Sequence, residues 1–242
     1  MPPKKPFSAY SLLGALLAVA CLGLWACGDE PPAQSVEVRP ESFTFLEMGV
    51  NTPLTEALQD GLTEHLGSAA VEKRGLLNLD QAFSFRNFLG RHLSALSDLN
   101  RHLNPPSGER REHGILRLAY NYPSRQTPAF NRVRLVFSQS TRRPLVFRVH
   151  ANQAGAGILA ALTEKYGSPQ VEEGGAEAES RIRLWQKNGD ALTVISSLDR
   201  FGEPEYRIAF YFTENIRDLV AAEKAAAARA EKARRQAGKS AF

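Results

Sequence analysis

The chain has 242 residues, 30 of them basic and 26 acidic, for a formal net charge of +4; 43% are hydrophobic and 23% charged. This is ordinary globular usage and excludes a collagen-like, wholly disordered or multi-pass membrane protein. The only cysteines, Cys21 and Cys27, lie near the N-terminus, which excludes a disulfide framework, a cysteine-ligated zinc site and a thiol nucleophile from the rest of the chain.

Residues 1–26 have the layout of a secretory signal. Lys4 and Lys5 supply a positive n-region, and residues 12–26 form an uncharged apolar stretch. Fifteen residues suit a signal core better than a bilayer span, which needs roughly 20. Gly28-Asp29-Glu30-Pro31-Pro32 then ends the apolar run with polar and helix-breaking residues. Leu24-Trp25-Ala26-Cys27 resembles the lipobox of bacterial lipoproteins: Leu24 and Ala26 match, and Trp25 stands where a small or aliphatic residue is usual. The resemblance implies cleavage before Cys27 and a diacylglycerol with further acyl groups such as palmitate on that cysteine. It also implies a chain facing the periplasm, and Gly28 favours the outer membrane over the inner. The alternatives are an uncleaved anchor helix and a cytoplasmic chain. Loss of Lys4 and Lys5 lowers the net charge from +4 to +2, and residues 217–242 alone carry +4, leaving −2 on residues 27–216.

Residues 27–51 read as a tether, with a short strand at Ser42-Phe43-Thr44-Phe45-Leu46. Thr52-Pro53 reads as a helix start, and Leu54, Leu58, Leu62 and Leu66 follow at helical spacing. A second helix is predicted over 80–103 from Phe85, Phe88, Leu89, Leu93, Leu96, Leu99 and Leu103; Pro105 and Pro106 stop it. The period then changes to two. Strands are predicted around Leu116–Tyr122, Val133–Phe137 and Leu145–Val149, and the short turns between them favour an antiparallel sheet. A helix over 155–166 and strands near 181–187, 191–198 and 205–213 repeat the cycle, with Asn188-Gly189 as a hairpin turn. Leu62-Thr63-Glu64-His65-Leu66-Gly67-Ser68 is echoed by Leu162-Thr163-Glu164-Lys165-Tyr166-Gly167-Ser168, which points to an internal duplication. The expected architecture is α+β. An antiparallel sheet carries helices on one face and forms two helix-β-β-β units (80–151 and 155–213) within a domain spanning 52–213. The tail, 214–242, is rich in Ala, Lys and Arg and should project as a helix of roughly 33 Å over about 22 residues.

Catalytic and metal motifs are missing from the sequence. His65, His92, His102, His113 and His150 have no metal spacing, and no Walker, GxSxG or dinucleotide-binding pattern occurs. Gly155-Ala156-Gly157 reads as a tight turn. Glu172-Glu173 and the Glu177/Glu179 pair read as carboxylates of a solvated loop, without the burial that raises an acid's pKa. No cofactor is expected. If the leucines and aromatics of the strands face the helices, then Arg117, Arg132, Arg134, Arg148 and His150 share the other face. Arg181, Arg183, Trp185 and Arg207 would join them there, a surface suited to a carboxylate-bearing or otherwise anionic partner. Nucleic acid is not expected as that partner, because the globular part is negative overall.

Tyr166-Gly167-Ser168-Pro169 followed by Trp185 resembles tandem helix-on-antiparallel-sheet modules. These are the secreted β-lactamase-inhibitor proteins and, as a single unit, the small lipoprotein subunit of the β-barrel assembly machinery. The likeness covers residues 80–213 and implies a noncatalytic binding module. The reading is therefore a membrane-anchored envelope lipoprotein with a binding or scaffolding domain, whose partner is the membrane and another envelope protein or an anionic polymer. An envelope-polymer hydrolase and a peptidoglycan-contacting spacer are the alternatives.

Overall fold

The structure is a computed structural model that describes residues 38–80, 85, 87–105, 110–122, 130–152, 157–175 and 179–240. The signal segment, Cys27, Gly155-Ala156 and Glu177 lie outside the described residues. No described helix is long and apolar enough to cross a membrane.

In chain order the elements are α1 (Glu56–Leu66), β1 (Ala70–Gly75), α2 (Phe88–His92), α3 (Ser94–Leu103), β2 (His113–Asn121), β3 (Phe130–Ser138), β4 (Pro144–Ala151), α4 (Gly157–Tyr166), β5 (Val171–Gly174), β6 (Arg181–Lys187), β7 (Asp190–Leu198), β8 (Pro204–Tyr211) and α5 (Thr213–Ser240). All eight strands form one antiparallel sheet in the order β1-β2-β3-β4-β8-β7-β6-β5. The class is α+β. Each half is a four-stranded meander behind a helix, and the halves meet where β4 pairs β8. The first unit therefore starts at α1, ahead of 80–151, and α2 and α3 are an insertion between β1 and β2.

The echoed heptapeptides occupy matching places. Both end a helix on a glycine in the left-handed region, Gly67 at φ 79° and Gly167 at φ 81°. Each glycine donates its N–H to Thr63 or Thr163 at 2.9 Å. An aromatic from the neighbouring sheet then satisfies each helix end: Tyr122 donates to the Leu66 carbonyl and Trp185 to that of Gly167, both at 2.8 Å. Beyond the glycines the match slips. Glu72 lies opposite Arg117, on the face that carries Val136 and Val146, whereas Glu172 lies opposite Arg183 on the other face. A one-residue offset reverses the side of every side chain in a strand.

Helices and segments cover both faces of the sheet rather than one. On the first face, Leu62 and Leu66 of α1 are buried, joined by Phe43, Met48, Val50 and Leu54 of the N-terminal segment and flanked by α4. Across this face runs a transverse row in which each residue is the register partner of the next: Leu118, Leu135, Phe147, Phe210, Leu192 and Trp185. On the second face, Phe88, Leu89, Leu96, Leu99 and Leu103 of the insertion join Ile216, Leu219 and Val220 of α5 over Ile115, Ile182, Leu184 and Tyr211.

Local differences from the sequence reading have physical causes. Helix α1 starts later than Thr52-Pro53 because Leu54 is buried and its N–H bonds the Arg142 carbonyl; Thr55 is the cap, accepting from Leu58 N–H. The helix expected over 80–103 breaks at Leu93 (φ −136°, ψ 60°), and all its apolar stripe reaches one cluster. The tether boundary moves as well. Residues 38–51 belong to the fold: Phe45 and Met48 form an isolated bridge, and the Asn188 amide donates to the Glu41 carbonyl at 2.7 Å. The tail is docked for its first turns by Ile216, Leu219 and Val220. The residues beyond Glu223 are exposed up to Ala237, so the exposed part of the helix reaches roughly 24 Å.

Candidate functional site

Helices α2, α3 and α5 cover only part of their face. The corner they leave is made by the C-terminal ends of β2 and β4 and the N-terminal ends of β3 and β8. Register places the polar residues there in two rows. Asn121, Arg132, His150 and Arg207 are successive cross-strand partners in one row; Ala119, Arg134, Arg148 and Ala209 are in the other. Arg117 lies one step further along β2 on the same face. Six of the nine residues assigned to a binding face therefore converge: Arg117, Arg132, Arg134, Arg148, His150 and Arg207.

The other three do not join them. Arg181 and Arg183 lie on the opposite face, both paired with Glu172 at 3.4 and 3.1 Å. Trp185 is 1% exposed and packs in the core of that face, so it cannot meet a partner. Glu172 and Glu173 are in β5 rather than a solvated loop, and Glu173 pairs with Arg91 at 2.7 Å and with His92.

The cations in the corner differ in how they are held. Arg117 pairs with Glu72 and donates to the Leu76 carbonyl at 2.6 Å. Arg148 donates to the Asn78 carbonyl at 2.5 Å, and so pins the segment that crosses the sheet ahead of α2. Arg132 donates to Asn121 at 3.1 Å. Arg207 pairs with Glu205, which also accepts from Ser197. Arg134 is different. Among the described residues, none offers it an ion pair or hydrogen bond, and it lies directly opposite Arg148. Like charges facing each other across strands destabilise a sheet. Desolvation, and then the charges of Arg132, Arg117 and Arg148, pull the Arg134 pKa below its ordinary value. Glu72 offsets part of this repulsion.

His150 sits between Arg132 and Arg207. Burial first, and then those two charges, push its pKa down to about 4. It is neutral at pH 7, where it offers a donor and an acceptor but no charge. Two concavities open on the corner. One, of about 320 Å³, is lined by Asp80, Arg148, His150, Glu205 and Arg207. The other, of about 350 Å³, is lined by Arg117, Arg134 and Arg148 with Leu76, Leu77, Val136 and Val146. Arg148 borders both. No family model matches the chain, and neither the curated proteins nor the solved structures contain a match to it.

Sequence reasoning missed Glu205, although its two-residue spacing from Arg207 on a strand places both on one face. It also missed the contacts of His113. This buried ring has Glu223 on Nδ1 at 2.9 Å and the Leu103 carbonyl on Nε2 at 3.1 Å, fastening α5 to the end of α3. Among the described residues no group of His, Cys, Asp and Glu is arranged to hold a metal.

Proposed function

We propose that this chain is a cell-envelope lipoprotein, tethered to a membrane through an acylated Cys27 and facing the periplasm. Its globular domain is a noncatalytic binding module that receives an anionic protein or envelope polymer on the arginine corner. The observation that carries the reading is the convergence of five arginines on one stretch of sheet that no described helix covers, with Arg134 given no ion pair or hydrogen bond by any described residue. The lipobox-like Leu24-Trp25-Ala26-Cys27 supports the anchor.

Envelope-polymer hydrolysis is the second reading, favoured by the cavity that brings His150 together with Asp80 and Glu205. A histidine titrating near 4 is a weak base at neutral pH, and general bases work best when their pKa lies near the working pH. Glu205 is committed to Arg207 and Ser197. These groups suit recognition better than proton transfer.

Crosslinking in intact cells tests the binding reading. A discrete protein or polymer should co-purify with the wild type and be lost from an Arg132→Glu/Arg134→Glu variant that folds normally. The same cells should incorporate labelled palmitate into the wild type and not into Cys27→Ala. An unchanged partner set would reject the corner as the docking site, and palmitate on Cys27→Ala would reject the anchor.

A further inference from the structure

The cavity around Arg134 sets charged and apolar side chains side by side. Val136, Val146 and Leu77, all buried, line it. Leu76 stands at the cavity 43% exposed, one of the few large apolar side chains of the described residues left in water. Three guanidinium groups, Arg117, Arg134 and Arg148, line the same trough, with one carboxylate, Glu72. Arg117 and Arg148 have partners already, and among the described residues Arg134 has no ion pair or hydrogen bond. A volume of about 350 Å³ falls in the range of small-molecule sites.

A simple inorganic anion would use Arg134 and leave the trough empty. An uncharged apolar ligand would use the trough and leave Arg134 repelled by its neighbours. A carboxylate on a short apolar body uses both: the head forms charge-assisted hydrogen bonds to Arg134, and the body covers the exposed Leu76. We infer that the cavity between Arg134 and Leu76 is a binding site for a small amphiphilic carboxylate, such as a medium-chain acyl acid or an acyl group bearing a terminal carboxylate. The inference rests on the proposed binding role of the corner and names the chemistry of its ligand.

Calorimetric titration of the purified mature domain with butyrate, octanoate, octylammonium and inorganic phosphate tests it. Octanoate should bind at least tenfold tighter than butyrate, because each buried methylene adds favourable transfer free energy. Octylammonium and phosphate should not bind measurably. Arg134→Gln should weaken octanoate by on the order of tenfold, the loss expected for a hydrogen bond to a charged group. Ala119→Leu, which fills the cavity from β2, should weaken octanoate while leaving thermal unfolding intact. Failure of octanoate to bind, equal binding by Arg134→Gln, or phosphate binding as tightly as octanoate would each overturn the inference. The two readings fail separately. Octanoate binding with an unchanged set of crosslinked partners would retain the cavity and reject macromolecular docking; loss of partners in the charge-reversed variant without octanoate binding would do the opposite.

Discussion

Phe147→Ala is expected to lower the stability of the domain by about 3–5 kcal/mol, the cost of truncating a buried phenylalanine in a close-packed core. Phe147 is fully buried at the junction of the two meanders, where β4 faces β8 and Phe147 pairs with Phe210. Its ring packs at 5.4 Å from that of Phe137 and at 5.2 Å, edge-on, from that of Phe212. Among the described residues the halves share no other strand pairing, so the cavity would open at the seam that makes one sheet of two. Chemical denaturation should show a lower midpoint, and Phe147→Leu, which keeps most of the volume, should lose clearly less. A change of under 1 kcal/mol for Phe147→Ala would mean that the seam does not depend on this row.

The second large effect is expected at Asp190. This carboxylate opens β7, is buried, and accepts from the Ser42 hydroxyl and, at 2.9 Å, from the Thr213 N–H at the start of α5. It thus ties the N-terminal segment, which leads back toward the proposed membrane anchor, to the C-terminal helix. Arg39 reinforces the link by donating to Asn215 and to Asp218, and Asn215 donates in turn to the carbonyls of Val50 and Pro144. Asp190→Ala leaves the Ser42 hydroxyl and the Thr213 N–H without their acceptor, at a cost of about 2–4 kcal/mol. Hydrogen exchange should accelerate first in residues 38–51 and the opening turns of α5.

The same residue predicts a pH dependence. Burial, only partly offset by its two hydrogen bonds and Arg39, raises the Asp190 pKa from 3.8 to about 6. The folded protein therefore holds this proton more tightly than the unfolded chain does. The resulting stabilisation is fully present below the unfolded value and is lost as pH rises through about 6. Asp190→Asn cannot ionise, and its amide still offers an oxygen to Thr213 and a donor to Ser42. Compared with wild type, this variant should gain relative stability between pH 4 and pH 7, on the order of 1–3 kcal/mol. A difference that stays constant over that range would contradict the burial of a titrating carboxylate.

Much of the architecture was legible because β2–β4 and β6–β8 alternate or run apolar over seven or more residues between turn signals. The turn at Asn188-Gly189, with φ of 51° and 84°, is the clearest. Strands β1 and β5 were not legible. They are edges: Val71-Glu72-Lys73-Arg74 carries charge on both sides and bulges between Lys73 and Gly75, the usual protection of an exposed edge. The candidate site was half legible for a related reason. In the first meander no described helix covers the arginine-bearing ends of the strands, so alternation there separates core from surface. In β6, Ile182 and Leu184 bury on one face and Trp185 on the other. With both faces buried, alternation no longer tells which side an arginine joins, and Arg181 and Arg183 fall on the wrong one. The contact of Ser42 with Asp190 spans 148 residues, and no local pattern announces it.

The most direct test of the binding corner is site-specific photocrosslinking in intact cells, with the reactive group placed at residue 119, beside Arg134, or at residue 233, on the exposed part of α5. The account predicts discrete adducts from position 119, lost when Arg134→Glu is added, and none specific to position 233. Adducts from position 233 alone, particularly to peptidoglycan, would contradict it and make the projecting helix, not the sheet face, the working surface of this protein.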